Sequence, residues 1–209
     1  MKKTTTTKET DISTEEKIRN AARKVFHSKG FAATRTRDIA EEAGMNLALL
    51  NYYFRSKEKL FALVMQETMQ TFIQSIKVIF NDESLSLEAK VELLAGNYIE
   101  FLGANPDLPI FMLSEMRRDP SVLAGKLGLK EIVLHSHFMQ QFQQGIKAEQ
   151  IRPMHPFHLV MNIVGLTVFP FIAAPMLKTV GDLPDAAFTE LMQERKALIP
   201  LWVKAILKA

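Results

Sequence analysis

The chain contains no cysteine. Disulfides, thiolate metal sites, iron–sulfur clusters and thiol nucleophiles are thereby removed together, and the lack fits a reducing cytoplasm, the expected location. Strand signals are almost as scarce: apolar and polar residues nowhere alternate for long, and no Asn-Gly or Asp-Gly pair marks a hairpin. No GxSxG, P-loop, HExxH or dinucleotide fingerprint occurs. No enzyme and no cofactor are therefore expected; only a carboxylate pair assembled by folding would supply an active site. The histidines offer no metal-ligand pattern either. His135 and His137 diverge on a helix, while His155 and His158 share a face without an acid or Cys close by. After Met1-Lys2-Lys3 the apolar run of a signal peptide is missing, and residues 1–12 read as a disordered tail.

One absence is local. Residues 153–177 hold no Asp, Glu, Lys or Arg, a length that would span a bilayer. The stretch is the only one of its kind and includes His155, His158, Asn162, Pro170 and Pro175. A helix apolar on all sides is also what a subunit interface or deep core requires. The second reading is preferred, and no membrane association is expected.

What is present is helical spacing throughout the 209 residues. Ser13 and Glu16 form a capping box, followed by an apolar stripe of Ile18, Ala21, Ala22, Val25 and Phe26 that Gly30 stops. Shorter helices follow through 38–43 and from Asn46, which caps it, to about Tyr53; a long one runs from Ser56 to about Phe80. Further helices are expected over 86–104, 108–118, 126–149, 156–175 and 186–208, with a kink or break at Pro200. The net charge of +3 is uneven: residues 1–60 net +5 and the remainder −2. A basic head on a near-neutral body points to a polyanionic partner.

The segment Arg35 to Phe54, RTRDIAEEAGMNLALLNYYF, carries the functional signal. Ile39, Ala40 and Ala43 give one short helix a small apolar face, Gly44 supplies a left-handed turn, and Leu50 and Phe54 pack the next helix back. Leu47, Ala48, Asn51 and Tyr52 or Tyr53 are left pointing outward, as in a DNA-reading helix-turn-helix. Leu47 and Ala48 offer apolar contact to thymine methyls and Asn51 a hydrogen bond to an adenine edge; Leu49 is expected to be buried.

From Thr14 to about Leu63 the chain resembles the TetR-type DNA-binding domain, through TEEKIRNAARKVFHSKGF, DIAEEAGM and YYFRSKEKL. The reading helix departs from the family: Ala48-Leu49-Leu50-Asn51 stands where Gly-Thr-Leu-Tyr is usual, so no operator sequence carries over. The resemblance implies an all-α fold in which a three-helix head (13–57) is joined by a long helix to a larger helical bundle (58–209) ending in a dimerisation helix pair. It further implies a homodimer that binds double-stranded operator DNA, most simply as a repressor, and releases it on binding a small effector. Tyr52, Tyr53 and Lys57 would hold phosphates, with Arg35 and Arg37 on the flanking backbone; Thr36, Met45 and Asn46 complete the expected DNA-contacting set. Tyr52 or Tyr53 instead packs in the head's core on a plainer reading, and Arg37 pairs with Glu41.

In the body, Met112, Met116, Phe138, Met139 and Phe142 supply the flexible and flat apolar groups of an adaptable pocket. Glu115, His135 and Asn162 are placed to orient a hydrophobic ligand there. Ordinary core is the competing assignment for each. Val160, Val164 and Val168, with Leu191, Leu198, Trp202 and Ala205, form the expected dimer stripes of a four-helix bundle. A fully packed body would favour a DNA-binding regulator without a small-molecule ligand.

Overall fold

The apolar periodicity resolves into twelve helices in the computed structural model, which describes residues 4–208, with side chains from Thr14 onward. Helices α1 (Thr4–Ala33), α2 (Thr36–Glu42), α3 (Leu47–Tyr53) and α4 (Lys57–Asn81) come first. They are followed by α5 (Leu87–Ala104), α6 (Leu108–Arg118), α7 (Pro120–Leu127), α8 (Leu129–Leu134) and α9 (His137–Lys147). The last three are α10 (Pro156–Ile172), α11 (Ala174–Val180) and α12 (Asp185–Leu207). Among the described residues the only extended pairing is an isolated bridge between Ile151 and Lys208.

The chain divides into two compact units, one ending at Met69 and the other starting at Gln70. The division falls inside α4, later than the expected boundary at 57, because Leu60 and Val64 are buried and Phe61 packs edge-on against Phe26, 5.0 Å away. In this head unit the whole predicted stripe of Ile18, Ala21, Ala22, Val25 and Phe26 is buried. The backbone of α1 is helical from Thr4, where an irregular tail was expected over 1–12; residues 1–3 lie outside the described residues. Extending an existing helix needs no new nucleus, so weak helix formers can join it. Gly30 breaks α1 where predicted, with φ 72° and ψ 168°, a conformation open to glycine.

In the second unit α5 is central, packing on α9, α10 and α12. Its Val91, Leu94, Ala95, Ile99 and Leu102 are buried, as are Phe138, Met139 and Phe142 of α9. The helix expected over 126–149 is instead three. Gly128 turns left-handed at φ 62° to end α7, and Ser136 caps α9 through Met139 N–H. Similarly, the helix expected over 156–175 ends at Ile172, and α11 leaves α10 at 69°. Pro175 has no N–H for the carbonyl of Phe171, so the ladder cannot continue through it. No single helix among the described residues is long and apolar enough to cross a membrane.

Two prolines nevertheless sit inside helices. Pro170 of α10 frees the carbonyl of Leu166, one turn back, and the guanidinium of Arg195 donates to that oxygen at 2.7 Å. Arg195 also lies over the Trp202 ring, 5.1 Å from its centroid. Pro200 does not produce the expected break, since α12 runs unbroken from Asp185 to Leu207. Buried Ile199 and Val203 on either side of it hold the helix against the core.

Candidate nucleic-acid interface

The turn between α2 and α3 is set by one glycine. Gly44 adopts φ 65°, while its N–H donates to Glu41 O and that of Met45 to Ala40 O, each at 3.0 Å. These two bonds are a Schellman closure, which satisfies carbonyls at the end of α2. Asn46 then starts α3, its Oδ1 accepting from Leu49 N–H at 2.8 Å. Leu50 is fully buried and Phe54 half-buried, so α3 is seated by the residues that its spacing pointed to.

Ala48, Asn51 and Tyr52 are exposed and Leu47 is half-exposed, forming the outer face of α3. Tyr52 is 75% exposed and meets half-buried Tyr53 edge-on, which places only the second of the pair partly in the head's packing. Met45 and Thr36 are half-buried. Leu49, expected in the core, is 38% exposed: Leu50, with half-buried Phe54, fills the seat beneath α3.

Electrostatic pairing sorts the basic residues into two groups. Arg19 and Arg23 both bind Glu67 at 2.9 Å, Lys24 binds Glu42 at 3.1 Å and Lys29 binds Asp38 at 3.2 Å. Asp38 also accepts from Arg35 N–H, and this bond with the nearby Lys29 ammonium holds its carboxyl below the usual range. By contrast, Arg35, Arg37 and Arg55 are exposed and have no carboxylate partner among the described residues. They stand before α2, within it and just after α3. Arg37 makes no pair with Glu41. Arg55 was not singled out from the sequence, where nothing but its place after Phe54 marked it.

Lys57 is occupied differently. Its ammonium donates to the carbonyls of Phe31 and Thr34 at 3.0 and 2.9 Å and lies 4.3 Å from the Phe31 ring centroid. A cation in the first turn of α4 opposes that helix's dipole; carbonyls just past the break in α1 offset the conflict, where a phosphate had been expected to.

The residues expected around an effector do not come together. Phe138, Met139 and Phe142 are core, Met116 and His135 are exposed, and Met112 and Asn162 are half-buried. Glu115 is buried but takes the guanidinium of Arg118. None of the eight lines the cleft of about 640 Å³ that opens between α5, the start of α6, α10–α11 and α12. Ile99, Leu102, Ile110, Phe171, Phe188 and Met192 form its apolar walls, and an ion pair of Lys178 and Asp185 at 2.7 Å stands at its edge. Met and Phe at helical spacing do not distinguish a filled core from a lined cleft. Of the expected dimer residues, Val164, Leu191 and Trp202 are 39, 42 and 37% exposed, Ala205 is exposed, and Val160, Val168 and Leu198 are half-buried.

Residues 18–64 match the family model of bacterial regulatory proteins, tetR family. Over this head segment the chain is similar to TetR-family regulators. The transcriptional regulator RutR of Escherichia coli K12 is 28% identical over 191 residues, covering 89% of this chain and 88% of its own. The transcriptional repressor NicS of Pseudomonas putida is 40% identical over 62 residues, 30% of this chain and 29% of NicS. A TetR regulator from Haloarcula marismortui has the same fold, with TM-score 0.63 and 21% identity over 94% of this chain and 99% of that one. By these likenesses the protein is a DNA-binding transcriptional regulator and not an enzyme.

Proposed function

We propose that the protein is a homodimeric repressor that reads operator DNA with α3 and releases it when an apolar effector occupies the cleft beside α5 and α12. The observation that carries the DNA half is the outward face of Ala48, Asn51 and Tyr52, flanked by the three unpaired guanidinium groups of Arg35, Arg37 and Arg55. Asn51 addresses a base edge, Leu47 and Ala48 thymine methyls, and Tyr52 with the arginines addresses phosphates. A dimer presents two such helices to major grooves about 34–36 Å apart. Support for the dimer comes from the apolar exposure of Phe157, Met161 and Val164 on α10 and Leu191, Leu201 and Trp202 on α12. The sign of regulation follows NicS, a named repressor.

The cleft's volume and walls fit a small hydrophobic effector. Such a molecule lowers operator affinity only by its preference for the conformation that does not bind DNA.

The test is binding of the purified protein to its own upstream intergenic DNA, against a scrambled duplex, across salt concentrations. Specific binding whose affinity falls steeply with salt is expected; equal affinity for the two duplexes would reject an operator there. Arg37→Ala should weaken binding to both duplexes alike and reduce the salt slope by about one. An unchanged slope would remove Arg37 from the phosphate contacts.

A further inference from the structure

The body contains a fully buried cation that neither the DNA-reading face nor the cleft uses. Lys90 of α5 is 0% exposed. Its ammonium donates to the carbonyl of Phe80, in the last turn of α4, at 3.2 Å. It also meets Nδ1 of His137, the first residue of α9, at 2.9 Å. A second bond ties the same elements, from His137 N–H to Asn81 Oδ1 at 3.2 Å, and Gln141 Nε2 donates to Leu85 O at 2.8 Å. The end of α4, the turn after it and the first turns of α5 and α9 are therefore held at one point, with Lys90 at its centre.

This point is sensitive to acid by construction. An ammonium has only donors, so Nδ1 must accept, and the imidazole must be neutral with its proton on Nε2. Protonated, the ring carries donors on both nitrogens and a positive charge, and it cannot stay 2.9 Å from Lys90. Burial holds the Lys90 ammonium below its usual range, offset in part by Asp82 and Glu83 of the α4–α5 turn, the charged groups facing the pair. Asp82 accepts from the hydroxyl and N–H of Ser84, bonds that hold its carboxyl below the usual range, so it stays ionised through mildly acidic conditions. His137 is half-exposed, within reach of solvent protons.

We propose that Lys90 and His137 form an acid-sensitive latch that fixes the end of α4 to α5 and α9 and opens when His137 is protonated. Because α4 is one continuous helix from Lys57 to Asn81, loss of its anchor alters the support of a helix whose first turns belong to the head. Acidification then lowers operator affinity. The sign is diagnostic: protonating histidines adds positive charge, which by itself tightens binding to a polyanion.

The experiment measures binding to the upstream intergenic duplex at fixed ionic strength from pH 7.5 to 5.5, for wild type and His137→Gln, whose amide oxygen accepts from Lys90 without titrating. Wild type is expected to lose at least tenfold in affinity and His137→Gln less than twofold. Equal losses, or a wild type that binds more tightly in acid, would overturn the latch. The operator contacts rest on the reading of the head given above, so two measurements omit DNA. Imidazole nitrogen NMR of wild type at pH 7.5 should find Nδ1 of His137 unprotonated and accepting; a proton there overturns the proposal. Thermal unfolding should show a Tm that falls on acidification more in wild type than in His137→Gln. Should no duplex bind at any pH, the operator reading fails, and these two measurements still decide the latch.

Discussion

Phe142→Ala is expected to destabilise the body by about 3–5 kcal/mol, read as a lower denaturant midpoint at unchanged slope. Phe142 is fully buried on α9, as is Phe138 one turn earlier, whose ring stacks on Phe80 of α4 at 4.5 Å. Truncation removes the buried ring and leaves a cavity in the core. If Phe142 instead lined an effector site, the loss would be small and would appear chiefly as weaker effector binding. A cost under about 1 kcal/mol would reject its place in the core.

Lys57→Met is expected to cost the head about 2–3 kcal/mol, the range for hydrogen bonds to a charged group. Methionine keeps the apolar stem over Phe31 and removes the donors that serve the Phe31 and Thr34 carbonyls. Faster amide exchange in the α1 segment and in the first turns of α4 would report that loss. DNA binding discriminates between the two roles of this lysine. A phosphate contact would lower the salt slope by about one when removed; the carbonyl anchor predicts the same slope with a reduced fraction of folded head. An unaltered head with a shallower slope would return Lys57 to the phosphate contacts.

The head was legible in the sequence because its signals are local. The stripe from Ile18 to Phe26, the left-handed turn at Gly44 and the Asn46 cap each depend on residues a few positions apart, and each is found as read. The exposure of Leu49 and the carbonyl partners of Lys57 were not legible for a common reason: their environment is set by elements distant in sequence. The partners of Lys57 lie 23 and 26 residues away. The body's helices were found, as were the breaks around Pro106, Pro120 and Pro184, but the joints at Gly128 and Ser136 were not, because those residues are weak punctuation within a long apolar pattern. The cleft was illegible altogether. Its walls come from α5, α6, α10, α11 and α12, and only tertiary packing decides which apolar faces touch each other and which leave space. Lys90 is the extreme case, since no pattern marks a lysine for complete burial.

The short helix α11 sets a kinetic property of the cleft. It contributes Ala174, Pro175 and Lys178 to the lining, yet none of its residues is buried, and its ion-pair partner Asp185 has a side chain that is 90% exposed. A segment held by so little opens at low free energy while α5 and α12 remain packed. On the proposed function, the residence time of an effector in the cleft would follow a local movement of α11 and not unfolding of the body. An effector-responsive regulator of that build would reset quickly when its signal falls, with no slow step imposed by its durability as a folded protein.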